Sequence, residues 1–223
     1  MKFLVTAVCL VLLHTAGAQV RVGLEAGEQL TFLSPKKDLG INSGSALVPA
    51  GGISLQIGSG SFDHIMDAPL GKAFFLETGL FLTNFKYQNT NVQVYNTESG
   101  NDLGRVKSHN LTYLHIPVNY LRKFKAGKGR IIVGGGFFGA FNIAEKITLE
   151  NFPQANTENA AVIGTKGPNN LVAGLTTKFG VESGKMYSYL FFQRTITSIF
   201  EKNNGGSAWH GYIAGLRLGW MIK

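Results

Sequence analysis

Eight titratable residues share the same parity within alternating segments of this chain: Arg21, Glu25, Glu77, His115, Lys178, Glu182, Arg194 and Arg217. Gathered on one face, they offer two kinds of chemistry. They can bind a charged ligand or relay protons, or they can pair among themselves as a structural plug. An unpaired buried charge costs several kcal/mol (order of magnitude), so pairing is the preferred reading. Glu77 and Glu182 are expected to pair with Arg217, Arg194 or Lys178.

His115, two residues before Pro117, invites a catalytic or metal role. The histidines are His14, His64, His109, His115 and His210, and none forms H-x-x-x-H or H-E-x-x-H. A Ser/His/acid set can assemble across strands, but no sequence neighbourhood supports one here. Gly134-Gly135-Gly136 lacks the G-K-[ST] continuation of a phosphate loop and falls mid-strand, where close packing of Phe137 or Phe138 explains it better. Asn110-Leu111-Thr112 matches a glycosylation acceptor, a motif with many chance occurrences. No catalytic residue, cofactor-binding residue or metal ligand is assigned, and the chain is read as a non-enzyme without a cofactor.

The elements that must position these residues are strands. The chain ends on Tyr212, Ala214, Leu216, Leu218, Trp220 and Ile222 alternating with Gly211, Gly215, Arg217 and Gly219. Seven earlier segments alternate similarly: about Val20 to Phe32, Leu47 to Ser59, Ala73 to Tyr87, Leu111 to Phe124, Arg130 to Ile143, Leu171 to Glu182 and Met186 to Ser198. The seventh is aromatic on both faces, which leaves its register open. Later connections alternate between long polar and short. That pattern predicts an all-β, eight-stranded antiparallel up-and-down transmembrane β-barrel, with long loops 88–110 and 144–170 outside and short turns in the periplasm. Val92, Val94 and Val106 suggest that flanking strands extend as a hairpin beyond the bilayer. Phe32, Tyr87, Phe124, Tyr187, Trp209 and Trp220 are expected to form interfacial girdles.

Residues 1–18 read as a cleaved export signal: Lys2, an apolar core from Phe3 to Leu13, and the small-x-small site Ala16-Gly17-Ala18. The apolar run is shorter than the about 20 residues a spanning helix needs. A lipoprotein reading on Cys9 would leave almost no apolar core before the cleavage point. The remainder, 19–223, is one domain. Cys9, the only cysteine, leaves with the signal, so neither a disulfide nor a thiolate metal site is expected. Lys2 is the only charge in the signal, so the net charge falls from +8 to +7. Such a basic balance favours anionic lipid headgroups or acidic surface polymers, and the bland reading is solvated loops and rims. High glycine (29 residues) with low charge (15%) suits a barrel. A water-soluble lipocalin-like barrel is the main alternative fold. Here the charge-bearing face is also the glycine-rich one, which puts lipid outside.

Several stretches carry a resemblance. Gly23 to Gln29 resembles the first-strand G-x-K-x-G-x-N pattern of the PorT-like outer-membrane β-barrel proteins of Bacteroidetes-type bacteria. Tyr113-Leu114-His115-Ile116-Pro117-Val118 is similar to that family's Y-L-E-I-P-L signature, Gly134 to Phe141 to its Gly/aromatic fifth strand, and Leu218 to Ile222 to its terminal L-G-Y-x-F. Glu25, His115 and Ile222 depart from the usual lysine, glutamate and aromatic; the first two suggest a charge exchange inside the barrel. The resemblance implies a Gram-negative outer-membrane location after export and implies little about activity, because strand motifs do not transfer a role. Expected partners are outer-membrane lipid and lipopolysaccharide, the barrel-assembly machinery during biogenesis, and a candidate protein partner at loops 88–110 and 144–170; nucleic acid is excluded by location. The leading function is a non-enzymatic binding or envelope-assembly component, with a secretion-associated role as one form of it. A narrow, porin-like solute channel and an outer-membrane lipid-modifying enzyme are the alternatives.

Overall fold

The computed structural model describes residues 18–34, 45–59, 74–87, 93–96, 98–99, 101–150, 160–162, 165–202 and 208–222. Residues 1–17, most of the expected export signal, the connectors 35–44 and 60–73 and the loop at Asn203 to Gly206 lie outside them. Eight long strands carry the fold: β1 (Ala18–Ser34), β2 (Ala46–Ser59), β3 (Phe74–Tyr87), β4 (Asp102–Ala126), β5 (Gly129–Leu149), β6 (Leu171–Ser183), β7 (Met186–Thr195) and β8 (His210–Met221). Each pairs antiparallel with its sequence neighbours, and β1 pairs with β8, so the sheet closes into an eight-stranded up-and-down barrel. Closure leaves no sheet edge in the wall.

Period-two alternation decides which residues face which way. On the outer face stand large apolar side chains such as Leu24, Ile53, Leu80, Phe137, Phe179 and Leu218, all about half exposed or more, with Phe137 at 65%. Glu25, Gln56, Glu77, Asn119, Lys178 and Arg217 are buried inside. The polar residues thus lie inside, where they share the core with apolar and aromatic side chains such as Phe75, Leu121, Ile132 and Val172.

Two turns are tight. Gly127-Lys128 joins β4 to β5 and Gly184-Lys185 joins β6 to β7; both glycines have φ of +59°. A two-residue hairpin turn with glycine first needs that left-handed backbone, which a residue with a Cβ adopts at a cost. Both turns lie at the same end as Ala18 and Ile222. The connector 60–73 between β2 and β3 is at this end too, and the other four connections are at the opposite one.

There the strands run further than the alternation indicates. β4 begins at Asp102 instead of Leu111, and β5 continues to Leu149 instead of Ile143. Part of both predicted loops is therefore one raised hairpin. Extra residues at Ile143 on β5, opposite the Thr112–Tyr113 step, and at Lys107 on β4 shift the pairing, so the hydrophobic period breaks and the continuation reads as loop. Short strands Gln93–Asn96 and Ala160–Val162 add to its side, and Thr165–Pro168 pairs with Phe200–Lys202. The apolar core of the barrel continues up beneath the hairpin. Val94, Val106, Leu149, Ile199, Phe200 and Trp209 are buried, the Phe200 and Trp209 rings meeting edge-on at 5.5 Å. Trp209 is thus no girdle residue.

A recurrent pairing explains the glycine content. Six inward aromatic residues lie directly opposite inward glycines on the adjacent strand: Phe75 and Gly58, Phe81 and Gly52, Phe138 and Gly174, Tyr187 and Gly219, Tyr189 and Gly180, Phe191 and Gly215. A Cβ on any of these glycines would collide with the facing ring, with Tyr189's Cβ in the case of Gly180, or with nearby backbone. Each ring lies across the surface its glycine leaves bare, so rings fill the interior of a narrow barrel without spreading the strands.

Candidate functional site

The inward polar residues form one connected network. At the short-turn end Glu182 accepts from three cations: Arg21 Nη1 at 2.7 Å, Lys123 Nζ at 2.5 Å and Arg130 Nη1 at 3.0 Å. Lys123 Nζ also donates to Gln56 Oε1 at 2.7 Å, and Gln56 Nε2 donates to Glu77 Oε2 at 3.1 Å. Glu77 further accepts from Asn119 Nδ2 at 3.0 Å and from Lys178 Nζ. Lys178 lies 3.8 Å over the Tyr189 ring. The Tyr189 and Tyr187 hydroxyls both donate to the Glu25 carboxylate, and the Tyr187 hydroxyl also shares a hydrogen bond with Ser54 Oγ at 3.0 Å.

Arg217 ends the chain. Two tyrosines hold Glu25, so the guanidinium stands 3.7 Å away, between the rings of Phe81 and Phe191 at 4.3 and 4.6 Å. Cation–π attraction takes over part of what a close carboxylate would supply. The charges match: buried cations Lys123, Lys178 and Arg217 each have one buried carboxylate, Glu182, Glu77 and Glu25. Arg21 and Arg130 stand at the mouth with side chains 12% and 16% exposed.

His115 is buried beside this set but bonds neither a carboxylate nor a serine. Its Nε2 is 3.2 Å from Gln193 Nε2, and its ring tilts over Phe138 at 4.7 Å. The direction of that bond follows the tautomer of the ring. That arrangement lacks a nucleophile and an orienting acid, the two parts a hydrolytic triad requires. Among the described residues no cluster of His, Cys, Asp or Glu has the size to hold a metal ion. His115 and Glu25 do not touch; both approach Arg217 instead, His115 as a fellow wall of one cavity. The space among Arg217, His115, Asn119 and Gln193 has room for about one water, so it is no bore.

Seven of the eight residues expected inside are there. Arg194 is the exception: it faces out, 5.5 Å from the Tyr212 ring. Tyr187, Tyr189, Phe191, Gln193 and Thr195 occupy the inner face of β7, so the intervening Arg194 cannot. Glu182 pairs with Arg21, Lys123 and Arg130, and Glu77 with Lys178. Lys123, Gln56, Tyr187 and Tyr189 are absent from the sequence-based set. Lys123 shares the parity of His115 and Asn119, which is the signal that finds it. Tyr187 was expected at an interface and is buried instead.

Further side chains are buried toward the long-loop end. Ile199 reaches inward to Phe85 and Gly211, while Ile199 N and Trp209 O bond at 2.8 Å. His109, fully buried in the raised hairpin, contacts Glu145 at 2.6 Å and the Phe200 ring at 5.5 Å.

No protein-family model and no curated protein match the chain. Among solved structures it is similar to Neisserial surface protein A at 10% identity and a TM-score of 0.43, over 92% of this chain and 98% of that one. It is similar to the outer membrane protein OprG of Pseudomonas aeruginosa at 11% identity and a TM-score of 0.41, over 92% and 95%. A third is Ail, the attachment invasion locus protein of Yersinia pestis, solved with the heparin analogue sucrose octasulfate: 7% identity, TM-score 0.33, over 92% and 99%.

Proposed function

We propose that this chain is a non-enzymatic outer-membrane β-barrel of a Gram-negative envelope whose raised hairpin forms a binding module at the cell surface. The observation that carries the reading is the opposition of two faces. A belt of large apolar side chains surrounds the barrel, and three buried ion pairs lie inside it. An apolar surface of this extent is far larger than a water-soluble monomer exposes. The apolar core under the hairpin gives the outer end a fixed shape, which suits recognition of a protein partner or an envelope assembly. Residues 1–18 read as the export signal this location needs.

Solute passage and lipid chemistry are less well supported: the space among Arg217, His115, Asn119 and Gln193 holds about one water, and His115 has no nucleophile beside it. Three expected results test the proposal. The unboiled protein migrates differently from the boiled protein in detergent electrophoresis. Planar bilayers containing it show no conductance steps; regular steps would favour the channel. With Cys9 removed alongside the signal, Gln93→Cys reacts with an impermeant maleimide on intact cells and Lys128→Cys does not. The reverse labelling would invert the orientation.

A further inference from the structure

On β3, β4 and β5 the apolar belt thins out toward the long-loop side, Ile143 being the last large apolar side chain exposed on β5 before Lys146. Leu82, Leu114 and Phe141 stand side by side on β3, β4 and β5. One rung higher are Asn84 and Thr112, whose side chains share a 2.7 Å hydrogen bond on the outer face. The next rung is Lys86, Asn110 and Lys146, aligned directly by strand pairing. Lys107 and Arg105 continue the same outward face up the hairpin, both exposed, while Val106 and His109 turn inward.

Among the described residues none of Lys86, Arg105, Lys107 and Lys146 has an ion pair. The nearest carboxylate in the row, Glu145, is held on His109. Glu150 stands above the patch, its backbone N–H bonded to the Arg105 carbonyl. Adjacent strands are spaced about 4.8 Å apart, so Lys86 and Lys146 flank Asn110 at about 10 Å from one another. Their stems can lie along the wall and bring both ammonium groups down to the headgroup layer.

We infer that this patch is a docking site for the phosphate groups of a phosphorylated outer-leaflet glycolipid, the lipid A part of lipopolysaccharide. The inference rests on the proposed membrane orientation. Height on the wall selects a lipid over a soluble polyanion: the cations begin where the apolar belt thins out and acyl chains give way to headgroups. Asn110 between the lysines offers its amide to a phosphate oxygen.

The test uses the full mature chain refolded in zwitterionic detergent, with heat-dependent mobility checked first on every sample. Absence of that shift in the wild type would remove the membrane reading itself. Retention of bis-phosphorylated lipid A is then followed by native mass spectrometry. The triple substitution Lys86→Gln, Lys107→Gln, Lys146→Gln is expected to weaken it by about tenfold or more. The matching triple at the short-turn end, Lys125→Gln, Lys128→Gln, Lys185→Gln, should bind as the wild type does. Removing the lipid's phosphates should abolish the difference between wild type and variant. Equal retention by the patch variant would overturn the inference, as would equal retention of phosphatidylglycerol. Tighter binding of a sulfated polysaccharide would replace the lipid with a glycan as the occupant.

Discussion

Replacing Glu182 by glutamine is expected to lower the unfolding free energy by about 3–5 kcal/mol, the range for stripping one partner from a buried ion pair. The carboxylate is the shared acceptor of three cations. Lys123 is the critical one, since its side chain is fully buried and donates to Glu182 at 2.5 Å. Arg21 and Arg130 can turn toward water at the mouth, but Lys123 cannot reach it. Glutamine keeps the volume and one acceptor oxygen, so the loss reports charge and not packing. Urea unfolding in detergent micelles or bilayers reads the effect. Adding Lys123→Met should recover a large part of it, because the orphaned charge goes with the lysine. A loss below about 1 kcal/mol would mean that water reaches Lys123 and that the mouth is open.

The second large effect belongs to Gly219→Val. A side chain there strikes the Tyr187 ring, and the ring is pinned by Glu25 at 2.8 Å and Ser54 at 3.0 Å. Overpacking alone costs about 1–3 kcal/mol, and a hydrogen bond to the carboxylate is worth about 1.5–3 kcal/mol. A combined loss of about 3 kcal/mol or more is expected. Tyr187→Ala alone also destabilises, but in the double variant the valine has the space the ring vacates. The two effects should therefore fall well short of additive. Strict additivity would show that ring and glycine do not share that space.

Much of this was legible beforehand, for a physical reason. A strand between lipid and a polar interior must alternate, so parity alone sorted Glu25, Glu77, Lys178 and Arg217 to the inside. It failed on β7, where Tyr187, Tyr189 and Phe191 face in while Leu190 and Phe192 face out. With apolar residues on both faces, period two carries no contrast, and Arg194 was assigned to the wrong side. Partner choice was illegible for another reason. Glu77 and Lys178 are 101 residues apart and meet across the lumen, so their contact depends on how the strands are staggered around the ring. The long-loop end was hidden too, since Ile199, Phe200 and Trp209 lie in irregular or very short elements without a period to betray them.

The glycine–aromatic pairs have a consequence for how the wall is assembled. Alternation cannot distinguish two registers that differ by two residues, because both keep every side chain on its own face. The pairs can. Sliding β8 by two against β7 would set Tyr187 against Arg217 or Met221, and Phe191 against Ile213 or Arg217, where no bare backbone waits to receive a ring. Sliding β6 would set Tyr189 against Lys178 or Glu182. Each pair acts as a key that fits one notch, and the keys are spread over four of the eight seams. In homologous chains glycine and ring should therefore trade places across a seam together, a correlated exchange that would mark the register from sequence alone.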